Sequence, residues 1–255
     1  MKAWRVLWLG LSFLIAVLLV WAWQMLAEYK LVSPVFLPGP DRAWGALMKG
    51  FMTGDLGRKL LSTVGRMFWG WLIASLLGII LGAAIGTSPR LRAYLSPMLE
   101  FLRPLPASAT IPVAIAILGL SDGMVLAVIA FGALWPVLLA TVHGFSGVEP
   151  RLYEVGRALK LSRVAVIGKI ALPSASPDIL AGMRLGLTVA LILSIVCEMI
   201  AGRDGLGNWI LLAARSFRAP DLYAGVILLG VLGYLTAVAI GLVEARLLDW
   251  RRRTK

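Results

Sequence analysis

Long apolar runs alternate with short polar stretches along the whole of this chain. The runs fall at about residues 6–26, 60–86, 97–118, 124–145, 179–200 and 222–242, and each is close to the roughly 20 residues that an α-helix needs to cross a bilayer. The pattern predicts an all-α membrane protein, a polytopic bundle of about six transmembrane helices. Between the first two runs, Pro34, Pro38, Gly39, Pro40, Gly54 and Gly57 punctuate a loop around a short amphipathic piece at 42–51. Gly119-Leu120-Ser121-Asp122-Gly123 reads as a tight turn, and residues 202–221 read as a second long loop.

The runs differ in what they carry. In the second, Gly65, Gly70, Ala74, Gly78, Gly82 and Gly86 recur largely at four-residue steps, a stripe that lets helix backbones approach closely. Arg66, near the outer end of that run, is expected to snorkel to the interface. The third run holds Pro104, Pro106 and Pro112, each of which removes a backbone donor and disfavours helix at the residue before it. A proline-broken helix at membrane depth either packs inside protein or lines a cavity, so Arg103, Pro104, Pro106 and Pro112 are candidates for a pathway or gate. Arg184 and Glu198 in the fifth run join them. An acid in a span faces the bundle interior or water, which leaves Glu198 either a gate or a structural partner.

One polar interruption, residues 149–178, separates the fourth and fifth runs, with Arg151, Arg157, Lys160, Arg163 and Lys169 set among Leu, Val and Ile. Leu152, Val155 and Leu159, then Val164, Ile167 and Ile170, recur at three- and four-residue steps, which predicts one or two short amphipathic helices outside the hydrocarbon. Pro173 is expected to stop the preceding helix, Ser176 to cap the next, and Pro177 to take its first position.

Composition agrees with the pattern. The 255 residues are 60% hydrophobic and 15% charged, with a mean hydropathy of +0.88, outside the range of soluble domains. No separate soluble domain is expected: residues 1–255 form a single transmembrane domain. It comprises an extra N-terminal helix at 6–26, a five-helix core at 60–246 and the loop at 149–173. The first run exceeds a signal-peptide core and no clear cleavage site follows, so it is taken as retained. The net charge of +12 is distributed over membrane-flanking loops, which excludes a nucleic-acid surface. With alternating spans, sixteen of the 25 Lys and Arg residues fall on the side of the 149–178 loop and nine opposite. This excess predicts a multi-pass protein with both termini cytoplasmic.

Chemistry is sparse. Cys197 and His143 are each the only residue of their type, so neither a disulfide within the chain nor a two-histidine metal site can form, and no metal or cofactor is expected. Gly168-Lys169 lacks the rest of a phosphate-binding loop; by that route the chain does not hydrolyse ATP.

Glu154, followed by Ile170-x-Leu172-Pro173, resembles the E-A-A-x-x-x-G…I-x-L-P loop of ABC-importer permeases. The resemblance to the branch importing sulfonates, taurine, nitrate and bicarbonate covers nearly the whole chain. It includes Leu102-Arg103-Pro104-Leu105-Pro106, Ile111-Pro112, Leu118-Gly119-Leu120, Gly182-Met183-Arg184, Glu198 and Gly205-Leu206-Gly207. It implies a type I importer fold in a bacterial cytoplasmic (inner) membrane and a homodimer of permease copies. Two ATPase subunits holding ATP and Mg, and an extracytoplasmic solute-binding protein, complete the implied assembly. The coupling residues would be Glu154, Val155, Gly156, Arg157, Ala158, Leu159, Lys160, Ile170, Leu172 and Pro173. Val155 and Gly156 replace the family's two alanines and Lys160 its glycine. That glycine looks like a helix breaker, and Gly156 offers an alternative breaker one turn earlier. The rival reading is a secondary transporter or channel without an ATPase, for which Glu198 is the plausible ion-coupling residue.

Overall fold

The structure, a computed structural model, describes residues 2–102 and 104–249. Its regular elements are helices: α1 (Lys2–Glu28), α2 (Pro40–Met52), α3 (Asp55–Thr87), α4 (Pro89–Leu102), α5 (Ile111–Leu118), α6 (Asp122–Ser146), α7 (Pro150–Ala158), α8 (Arg163–Val166), α9 (Leu172–Ala201), α10 (Leu206–Arg215) and α11 (Ala219–Leu247). Five helical stretches among the described residues are long and apolar enough to cross a membrane. The pair Pro89–Leu102 and Ala107–Leu118, bent by 82°, is apolar enough when taken together, as a broken span or a re-entrant loop. The third apolar run is therefore broken into two helices. It starts earlier than the hydropathy suggests, at Pro89, because Ser88 caps α4 through its Oγ, 3.3 Å from the Leu91 N–H. The break itself follows from the prolines: Pro106 is extended before a 3₁₀ turn at Ala107–Thr110, and Pro112 sits in the first turn of α5, where no N–H is required.

The centre of the bundle is α6, packed between α3 and α9. The glycine stripe of α3 lies against it: a Cβ on Gly78 would stand 2.9 Å from Val137 Cβ, on Gly82 2.6 Å from Thr141 Cβ, and on Gly86 2.6 Å from Phe145 Cβ. Lipid supplies no hydrophobic drive between helices, so dispersion across such close approaches holds them together. Gly65 departs from the expected stripe, since a Cβ there meets nothing within 4 Å. Met67, Ala74, Ile129, Ala133, Ala190, Leu193 and Cys197 fill the shared core. Trp71 Nε1 adds a 2.9 Å hydrogen bond to the Met183 carbonyl, tying α3 to α9.

The 202–221 stretch is not merely a loop. Leu206, Gly207, Ile210 and Ala213 are buried at helical spacing on one face of α10, which packs against α9 and α11. At the other periphery, the most apolar stretch of α1 buries nothing. It is pinned at its end by Trp23, whose Nε1 donates to the Pro38 carbonyl at 3.0 Å and whose ring lies 5.5 Å from that of Tyr223.

Residues 163–201 depart further from the expected pattern. Pro173 does not stop a helix and Pro177 does not begin one. After α8, a wide π turn at Ile167–Ala171 leads without interruption into α9, with Pro173 in its first turn and Pro177 inside it. The helix survives because a neighbouring hydroxyl serves the carbonyl that Pro177 leaves without a donor: Ser176 Oγ donates to Pro173 O at 2.8 Å. Ser176 therefore repairs the helix instead of capping it.

Candidate functional site

Polar side chains concentrate at the two ends of the bundle. At one end the short helix α7 packs on the 167–171 turn. Pro150 occupies its first turn. Tyr153 and Gly156 turn inward; Tyr153 packs against the cluster formed by Phe145, Val148, Ala171, Ala175 and Ile179. Burial pushes the Tyr153 hydroxyl above its ordinary pKa. Leu152, Val155 and Leu159 face outward and are exposed, as are Glu154, Arg157, Ala158 and Lys160. The helical spacing was legible in the sequence, but the apolar stripe is turned away from the bundle.

Gly156 is buried because the helical extension of α9 passes over it: a Cβ there would stand 3.0 Å from Val166 Cγ2 and 3.3 Å from Ile170 Cδ1. A small residue at this position lets α7 seat on the 163–171 segment. The helix ends at Ala158 and its closing turn falls at Lys160, not at Gly156. The Lys160 N–H donates to Arg157 O at 2.9 Å and the Leu161 N–H to Gly156 O at 3.0 Å, the paired bonds of a Schellman cap. Lys160 takes φ 51° to make them, the left-handed region that glycine enters without strain. The turn thus stays where the family pattern has its glycine, with a lysine in it. Farther along, Ile170 is half-buried, while Leu172 and Pro173 are exposed.

At the opposite end a buried carboxylate organises three helices. Glu198 has no exposed surface. Its Oε1 accepts from Arg66 Nη1 at 3.1 Å, and its Oε2 accepts from Thr63 Oγ1 at 3.0 Å and from the Gly207 N–H at 2.9 Å. The start of α10 wraps this group so tightly that a Cβ on Gly205 would collide with the carboxylate, and one on Gly207 with the Ile195 carbonyl. This accounts for Gly205-Leu206-Gly207 in physical terms. Arg66 does not snorkel: it also donates from Nη1 to Asp204 O at 2.7 Å and from Nε to Asp122 Oδ1 at 3.2 Å. Arg203 Nη2 reaches Asp122 Oδ2 at 2.7 Å, and Lys59 Nζ reaches Asp204 Oδ1 at 2.5 Å. Sequence reasoning found Glu198 but not Thr63, Asp122, Arg203 or Asp204, which lie far apart along the chain.

The remaining candidates do not form one cluster. Pro104, Pro106 and Pro112 are exposed along the bent pair. Arg184 Nη2 pairs with Glu244 Oε2 on α11 at 2.6 Å, a partner the sequence did not suggest. Arg103 lies outside the described residues.

The family described as binding-protein-dependent transport system inner membrane component matches residues 74–254. The putative aliphatic sulfonates transport permease protein SsuC of Bacillus subtilis (strain 168) is 33% identical over 238 residues, covering 93% of this chain and 86% of that protein. The taurine transport system permease protein TauC of Escherichia coli (strain K12) is 31% identical over 242 residues, 92% of this chain and 87% of its own. Among solved structures, an inward-facing conformation of the MetNI methionine ABC transporter has the same fold, with a TM-score of 0.67 at 19% identity over 77% of this chain and 97% of that one.

Proposed function

This chain belongs to the family of binding-protein-dependent transport system inner membrane components, and from that premise we propose how it does its work. It is the permease subunit of an ABC importer. Two copies pair around a central pathway, each served by its own ATPase subunit, which holds the ATP and Mg; this chain supplies no cofactor and no hydrolysis. The α7 end and both termini face the cytoplasm of a bacterial inner membrane. An extracytoplasmic solute-binding protein delivers cargo at the α10 end. The relatives named for sulfonates and taurine support a small anionic solute of that class.

The observation that carries this reading is the exposed apolar stripe Leu152–Val155–Leu159 on a helix that stands outside the spans. An apolar helical face of this kind fits a groove on a partner protein, with Glu154 free to meet a basic residue there. Mechanical transmission follows from what lies behind it. Gly156 seats α7 directly on Val166 and Ile170, and the helical stretch from Val164 to Ala201 runs the full depth of the bundle. A pull on α7 therefore tilts α9 as a lever, while Glu198 at its far end carries α3 and α10 with it. The broken span with Arg103, Pro104, Pro106 and Pro112, together with Arg184, would border the pathway that this tilt opens and closes.

Reconstitution with the ATPase and binding protein in proteoliposomes tests the reading. Glu154→Lys, or Val155→Pro within α7, is expected to lower ATP-driven uptake at least about tenfold while nucleotide hydrolysis continues. Coupled uptake that is unchanged in both variants rejects the role of α7.

A further inference from the structure

Between α7 and the corner joining α3 to α4 lies an open cleft of about 750 Å³, within the size range of a small-molecule site. Arg90, from the α3–α4 corner, and Arg157, from α7, both line it, together with Ser88 and Tyr153. Neither arginine has an acidic partner among the described residues, whereas Arg58, Arg66, Arg184, Arg203 and Arg218 are all paired. Leu161, Val166 and Ile167 give it an apolar wall, with Thr87 and Pro89 at the corner. The cleft opens where α3 ends at Thr87 and the 164–201 span begins, the level at which hydrocarbon gives way to head groups.

Two unpaired guanidinium groups suit a phosphate diester, which each can bind through two parallel N–H donors. An apolar wall beside them suits the glycerol and first methylenes of a lipid. We infer that this cleft holds the headgroup of an anionic phospholipid. Basic pockets at the cytoplasmic ends of membrane helices have the charge and position for this. A lipid seated there bridges α7 to the α3–α4 corner and braces the loop against the bundle. The inference borrows from the proposed function only the cytoplasmic placement of α7.

The full chain, purified in a neutral detergent, is mixed with equal amounts of phosphatidylglycerol and phosphatidylcholine, and the retained lipid is measured by mass spectrometry. The expected result is an enrichment of phosphatidylglycerol of about tenfold. The enrichment falls towards unity in Arg90→Gln/Arg157→Gln, takes an intermediate value in each single variant, and is kept in Arg90→Lys/Arg157→Lys and in Arg42→Gln at the opposite end. Equal enrichment in the wild type and the glutamine double variant overturns the inference. So does displacement of the lipid by millimolar inorganic phosphate, which assigns the cleft to a soluble anion. Loss of ATPase co-purification with lipid retention unchanged overturns it too, assigning the arginines to an acidic protein partner. Because lipid retention is read without transport, failure of the α7 coupling role leaves this measurement standing.

Discussion

Arg66 on α3 and Glu198 on α9 meet at 3.1 Å, Nη1 to Oε1, where the carboxylate has no exposed surface and the guanidinium little. Pairing in such a place is defined less by what it contributes than by what its loss leaves behind. Arg66→Leu leaves the buried carboxylate without its countercharge, held by only the Thr63 hydroxyl and the Gly207 N–H, and is expected to cost about 3–5 kcal/mol. Glu198→Gln removes the charge and costs less, while Arg66→Met/Glu198→Met costs less than the sum of its singles. Thermal unfolding of the full chain in detergent measures all three. A stable Arg66→Leu protein would show that the network holds nothing together.

The α3–α6 contact makes a sharper steric prediction. Gly82→Val drives a branched side chain into Thr141, and overpacking of this kind costs about 1–3 kcal/mol. Gly65→Val, on the same helix, enters open space and should leave the unfolding midpoint nearly unchanged. Equal effects at the two positions would mean that α3 does not pack on α6 through this face.

Lys160 holds φ 51° at the end of α7. Lys160→Gly relieves a conformational cost of about 1 kcal/mol, so the amides of Lys160 and Leu161 should exchange with solvent roughly fivefold more slowly. Lys160→Val, branched at Cβ, should speed their exchange. Identical protection in all three proteins would argue against the left-handed turn.

Arg184 and Glu244 form a pair that is half open to solvent. Exposed pairs contribute about 0.2–1 kcal/mol, so Glu244→Gln should barely move the unfolding midpoint. If the pair fixes the distance between α9 and α11 during transport, Glu244→Gln lowers uptake and the exchanged pair Arg184→Glu/Glu244→Arg restores part of it. Uptake that ignores both substitutions would make the contact incidental.

Hydropathy alone located five spans and the apolar run that folds into the bent pair, because each span must hide its backbone and side chains from lipid over a fixed thickness. The polar run with Glu154, Ile170, Leu172 and Pro173 was equally plain, since charge at that density cannot enter hydrocarbon. Periodicity also disclosed the Gly78–Gly82–Gly86 contact face, as close packing requires small residues at helical repeats. What one-dimensional pattern could not reach was anything depending on a partner distant in sequence. Pro173 reads as a stop and Pro177 as a new start, yet the Ser176 hydroxyl bonded to Pro173 O lets one helix run through Pro177. Arg66 looked like a residue reaching for water until Glu198, Asp204 and Asp122 closed around it. In the same way, whether the Leu152 stripe faces the bundle or the outside depends on which side of α7 Gly156 allows Val166 and Ile170 to occupy. Where the chain enters and leaves the hydrocarbon can be read residue by residue, because transfer between water and lipid is a property of each segment. Which polar groups are satisfied and which faces remain open emerges only on folding, because a hydrogen bond or a close contact needs two surfaces brought together.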